Sequence, residues 1–225
     1  MLLATACQAN VTVDVDIRAD GSGQVSAGVG LDDEAVAEVG DFGSVLALDD
    51  LRQTGWRVQG PRREKDGRTW VRASKPFTST AEAGRVVAEL GPPFQGLRVE
   101  KRSSFLRAKT TISGPVDLTA GLATFSDADL GQVVDLVEVE RRFGDRARRA
   151  IQVELTAELP GKVDTNSAAL GGGPAWPARL GERVEVWAQG DRLRALPLLA
   201  GFTAAVALIA VGLTAWRRRK QGQSP

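Results

Sequence analysis

One cysteine, no histidine and no tyrosine occur in this 225-residue chain. That shortage decides much of the chemistry it can carry. Without histidine, Ser-His-Asp and Cys-His relays are excluded, and with them most transition-metal sites. With a single cysteine there is no internal disulfide. That cysteine, Cys7, ends Leu3-Ala4-Thr5-Ala6-Cys7, where small residues lead into the sulfur as they do before a lipid-modified cysteine. Cys7 is therefore the candidate lipid-attachment residue. Ala4 stands where a leucine is usual, and six residues are too few for a basic n-region and an apolar h-region. Residues 1–7 are accordingly expected to be the remnant of a lipoprotein signal peptide.

Other clusters read as structure. Asp14 and Asp16 share a strand face, but Arg18 and Val25 stand where an EF-hand needs oxygen ligands; a solvated face is expected. The run Arg141, Arg142, Arg146, Arg148 and Arg149 is answered by Glu138, Glu140 and Asp145 and reads as a charged loop. Gly171-Gly172-Gly173 lacks the lysine and hydroxyl residue of a phosphate loop. Trp56, Trp70, Trp176 and Trp187 are expected in the core rather than around a pocket. Lys and Arg number 29 against 28 Asp and Glu, which leaves no electrostatic footprint for nucleic acid. No catalytic residue, metal ligand or cofactor is expected. A carboxylate-only enzyme would need two acids across a cleft, and the sequence pairs none.

The C-terminus carries the plainest physical signal. Leu196 to Trp216 is a run of 21 residues without a charge, about 30 Å as a helix and so long enough to span a bilayer core. Arg217, Arg218, Arg219 and Lys220 follow it. Positive charge stays cytoplasmic, so 195–216 is expected to be a single transmembrane helix, 217–225 a cytoplasmic tail, and 8–190 an extracytoplasmic domain in the cell membrane.

The elements of that domain follow from periodicity. Val11, Val13, Val15 and Ile17 alternate with polar residues, and Asp20-Gly21-Ser22-Gly23 turns the chain into a return strand from Gln24 to Leu31. Asp32 and Asp33 cap a short helix bearing Val36 and Val39; another helical piece covers Ser44 to Gln53. Trp56-Arg57-Val58 pairs with Thr69 to Arg72 across Lys65-Asp66-Gly67. Ser79 and Glu82 form a capping box for a helix whose stripe is Ala83, Val86, Val87 and Leu90. It is stopped by Gly91 and Pro92-Pro93. Strands are expected at Leu97 to Lys101 and Phe105 to Ile112, with Ser113-Gly114-Pro115 as a turn. A helix is expected to start at Ser126 and to carry Leu130, Val133, Val134 and Val137, its end left open because VDLVEVERRF also alternates like a strand. Strands are expected at Ala150 to Leu159 and Arg183 to Ala188. A polar, Gly-rich loop is expected from Gly161 to Gly173. Hairpins dominate, no βαβ rhythm appears, and the class is α+β with an antiparallel sheet.

Near the end of the domain, Leu159-Pro160-Gly161-Lys162-Val163 is followed by Thr165-Asn166, a loop, then Val186-Trp187 and Gly190. This order resembles the closing pattern of the actinobacterial lipoprotein LppM-type domain family. The cysteine before a valine-alternating strand, the Asp20-Gly21-Ser22-Gly23 turn and Phe77-Thr78-Ser79 agree with it. The likeness runs over about residues 7–216 and departs from the family in its short leader. It implies helices packed over a curved antiparallel sheet, akin to lipid-binding folds, and recognition of envelope lipids or glycolipids without catalysis. An acyl-chain pocket between the capped helix and the sheet is the expected site. The alternative is a module that binds an envelope protein partner during assembly.

Overall fold

Alternation builds the first hairpin. Val13, Val15 and Ile17 of β1 (Ala9–Ile17) are buried, while Asp14 is exposed. β2 (Gly23–Leu31) pairs with it antiparallel over its whole length, from Ile17↔Gly23 to Ala9↔Leu31. Asp20 fixes the turn by accepting from the Ser22 N–H at 2.9 Å and the Ser22 hydroxyl at 2.7 Å, an Asx-turn. The structure is a computed structural model that describes residues 8–39, 48–121, 150–167 and 173–193. Cys7, the helix expected from Ser126, the arginine run, Gly171 and Gly172, and the apolar stretch from Leu196 lie outside those residues. Among the described residues no helix is long and apolar enough to cross a membrane.

Among the described residues α1 (Asp33–Val39) and α2 (Leu48–Gln53) follow the hairpin; residues 44–47 of the helical piece expected from Ser44 lie outside them. The Asp32 carboxylate accepts from the Ala35 N–H at 2.8 Å, the expected cap. β3 (Arg57–Arg63) and β4 (Thr69–Phe77) form the second hairpin, its register shifted between Gln59 and Arg62. Arg57 pairs with Ser74 rather than with Arg72. α3 (Thr80–Ala88) comes next. Ser79 Oγ accepts from the Glu82 N–H at 3.3 Å. The Glu82 carboxylate reaches one residue further than a capping box does, to the Thr78 N–H and hydroxyl, both at 2.7 Å. A single 3-10 turn, Pro92–Phe94, then leads to β5 (Arg98–Ser103) and β6 (Arg107–Asp117).

The remaining strands correct several expectations. β6 does not turn at Ser113-Gly114-Pro115; it continues to Asp117 and stays paired with the last strand throughout. Pro115 is tolerated because it lies past the final β5 pair, Arg98↔Ser113, where β6 has only one neighbour. β7 (Ile151–Glu158) is as expected, but the loop after Gly161 contains β8 (Lys162–Thr165), and Ala175–Arg179 is β9. β10 (Arg183–Leu193) runs five residues beyond Ala188. The fold is α+β and mostly strand, and among the described residues the strands form two sheets rather than one. The larger has the order β3-β4-β2-β1-β7-β9 and is mixed, because β1 and β7 pair parallel. The smaller has the order β5-β6-β10-β8.

One core joins the two sheets. Val13, Val15, Val25, Val153 and Leu155 of the large sheet meet Ile112, Val116, Val186 and Ala188 of the small one. The inner face of α3 closes it with Ala83, Val86 and Val87, each at most 2% exposed. Burying a valine fully is worth about 1.5 kcal/mol or more, so this seam fixes the helix. Among the described residues, Phe94, Leu97 and Ile112 belong to the same buried cluster, which lies where the acyl-chain pocket was expected. A smaller cluster, Leu31, Ala35 and Val71, lies at the α1 end of the large sheet.

Candidate functional site

The outer face of the large sheet collects the polar halves of its strands. Register aligns them in rows across the strands. One row reads Thr156, Asp14, Ser26, Ser74, Arg57, and the next Glu154, Thr12, Gly28, Arg72, Gln59. Small residues in the middle of both rows leave a groove of about 220 Å³, lined by Asp14, Gln24, Ser26, Arg57, Gln59, Arg72 and Ser74. A smaller groove of about 140 Å³ lies over Asn10, Thr12, Gln152, Glu154 and Arg179.

Several of these side chains are held in place. Thr156 Oγ1 donates to Asp14 Oδ1, and Gln24 Nε2 donates to Ser26 Oγ at 3.1 Å. Arg72 donates from Nε and Nη2 to the two Glu64 oxygens at 2.8 and 2.9 Å, a bidentate pair. Those bonds hold the Glu64 carboxyl below its ordinary value and raise the Arg72 guanidinium, which the Asp14 charge also favours. The guanidinium carbon lies 4.2 Å from the Trp70 ring centroid, within cation–π range. Below, the indole covers Gly30, where a Cβ would stand 2.5 Å from Trp70 Cε2. Trp70 Nε1 donates to Asp66 Oδ2 at 2.9 Å, the main reason the Asp66 carboxyl sits below its ordinary value. Arg57 has no carboxylate partner among the described residues and stays available to a ligand.

This lining offers anionic, amide, hydroxyl and guanidinium groups within one small concavity. Such a mixture suits a ligand whose groups both donate and accept, as ring hydroxyls do. The volume falls below the roughly 300–1,000 Å³ of sites that enclose a drug-sized molecule. It suits one polar ring rather than a whole lipid.

The residues singled out from sequence are placed unevenly. Asp14 lies in the groove; Asp16 is on the same face, next to Gln24. Trp56 and Trp176 are in the core as expected; Trp70 is buried outside it, on the outer face beneath Arg72, and Trp187, 36% exposed, is not a core residue. The lipid-attachment candidate precedes Gln8, whose N–H donates to Asp32 Oδ2 at 2.6 Å. Arg57, Gln59, Arg72 and Ser74 were not singled out. Each is only the polar member of an alternating strand, and four strands must pair before they meet.

No family model matches this chain, and no curated protein matches it. Among solved structures it is similar to the NMR structure of the folded domain of LppM from Mycobacterium tuberculosis. The two are 14% identical, with 84% of this chain and 91% of that chain covered and a TM-score of 0.43. That is a structural relationship; it defines no family.

Proposed function

We propose that this protein is a membrane-anchored extracytoplasmic domain that binds envelope lipids or glycolipids without catalysis, its outer-face groove taking the polar headgroup. The observation that carries the reading is the polar row from Asp14 through Ser26 and Ser74 to Arg57. Its groups are matched to hydroxyls and too close-set for an acyl chain. In this reading the ligand's chains stay in the bilayer or along the surface, and the protein grips only the head. The uncharged run from Leu196 keeps the domain at the membrane where such ligands are found. Native mass spectrometry of the full chain, purified from its own host in lipid discs, tests this. A retained polar lipid is expected, with occupancy falling several-fold in Asp14→Asn and Arg57→Ala. A protein that retains none and shows no shift with total envelope lipid would sink the reading and favour an envelope protein as partner.

A further inference from the structure

The other end of the small sheet carries a different surface. The β5–β6 hairpin, Lys101 to Lys109, reads KRSSFLRAK, with four basic residues and no acidic one. At its tip Phe105 is 73% and Leu106 44% exposed. Register places Arg107 opposite Leu193, and Leu193, the last described residue, is 60% exposed. An aromatic and two leucines therefore stand in water at one end of the molecule, ringed by lysine and arginine. Lone exposed apolar residues need no explanation, but a cluster at a projecting tip does.

The chain itself indicates what covers this tip. The 21-residue uncharged run begins at Leu196, three residues after Leu193, so β10 delivers its end, and the hairpin paired with it, to wherever that run enters the bilayer. We infer that the β5–β6 tip is a membrane-contact wedge. Phe105, Leu106 and Leu193 sit in the interfacial layer, while Arg102, Lys109 and Arg107, which also pairs with Asp191 at 3.2 Å, lie against anionic headgroups. Apolar and aromatic side chains partition to that layer, and flanking basic residues add attraction to anionic lipid. The hairpin is held stiffly enough to serve. Lys101 Nζ donates to the Ala19 and Asp20 carbonyls at 3.0 and 2.7 Å, tying β5 to the β1–β2 turn just short of the tip. The Ser104 N–H donates to the Arg107 carbonyl at 2.8 Å and closes the hairpin.

The inference rests on 196–216 entering the bilayer, and one experiment separates the two. Full-length protein with Cys7→Ser carries a single NBD-labelled cysteine at Leu106→Cys or, as control, at Lys65→Cys. It is placed in discs of three parts phosphatidylcholine to one part phosphatidylglycerol. Leu106 packs nothing in the core, and circular dichroism checks that the labelled protein is folded. At position 106 the emission should shift to the blue, be quenched by doxyl-labelled lipid and resist iodide; at position 65 it should behave as in water. In unlabelled protein, Phe105→Asp with Leu106→Asp should stay in the discs but lose hydrogen-exchange protection at residues 104–107. Protein that enters the discs with position 106 as open to iodide as position 65 overturns the wedge alone. Protein that never enters the discs overturns the anchor and the wedge together.

Discussion

Asn166 shows how much one residue can organise. Its Oδ1 accepts from the Trp176 indole N–H at 2.8 Å and from the Trp187 N–H at 3.0 Å, while its Nδ2 donates to the Glu185 carbonyl at 2.8 Å. It thereby joins β9, β10 and the end of β8, elements from different sheets. Two of its three partners are backbone groups of strand β10 and the third is the indole. Asn166→Ala leaves the N–H of Trp176, itself 4% exposed, without its partner. Solvent reaches part of the site, so the cost is about 1–2 kcal/mol rather than the upper end for a lost buried bond. Chemical denaturation of the full chain in micelles, followed by tryptophan emission, should show that loss. Asn166→Asp, which keeps both accepted bonds, should fall between the two. Equal stability of Asn166→Ala and the parent would mean the indole bond contributes nothing.

At the scale of elements, Gly114 separates what the sequence disclosed from what it hid. Ser113-Gly114-Pro115 has turn composition, yet Gly114, at φ +130, lies inside β6 with a would-be Cβ 2.2 Å from the Gly96 carbonyl oxygen. The glycine is there for close backbone approach across the loop that follows the 3-10 turn, not to reverse the chain. Gly114→Ala adds strain at positive φ to a backbone clash and should cost about 3 kcal/mol or more. The same denaturation measurement checks it; a loss under about 1 kcal/mol would contradict the packing described. β9 was hidden for a related reason. Pro177 argues against a strand, but β9 is the edge of the large sheet, where a missing N–H is tolerated. β8 is only four residues long, too short to show alternation. What was legible was local: the β1–β2 hairpin, the β3–β4 hairpin, the Ser79 cap, the stripe of α3, and β7. Parallel pairing of β1 with β7 was not, since no turn joins strands about 140 residues apart. The groove was hidden by a second such pairing: its lining comes from β1 to β4, and the two legible hairpins are joined only where β2 pairs with β4.

For the whole molecule, the two candidate attachments lie at opposite ends. Gln8 is at the start of β1, beside the β3–β4 turn; Arg68 Nη2 donates to Gln8 Oε1 at 3.4 Å. Leu193 and the β5–β6 tip lie past the other end of β1, where Lys101 meets Ala19 and Asp20. Nine residues of β1 at about 3.3 Å each separate the ends by roughly 30 Å. With the tip in the interface and no lipid on residue 7, the domain stands upright and Lys65 sits far above the headgroups. Acyl chains on Cys7, directly before Gln8, would have to reach the same bilayer across that distance. They can do so only if the domain tilts until β1 lies along the surface, turning one flank toward the headgroups. The outer-face groove would then change its height with the state of Cys7. Energy transfer from a dye at Lys65→Cys to a headgroup acceptor reads this directly. The native thiol is the complication, so the comparison is Cys7→Ser protein against host-made protein whose Cys7 is blocked by its own modification. Upright Cys7→Ser protein should transfer weakly, and acylated protein several-fold more, because transfer falls steeply over a distance of this size. Equal weak transfer, with intact mass showing acylated Cys7, would mean that the domain stays upright and that the acyl chains do not draw it onto that bilayer, since freeing residues 7 and 8 gains only about 7 Å of reach. In that case lipidation does not set the domain's tilt.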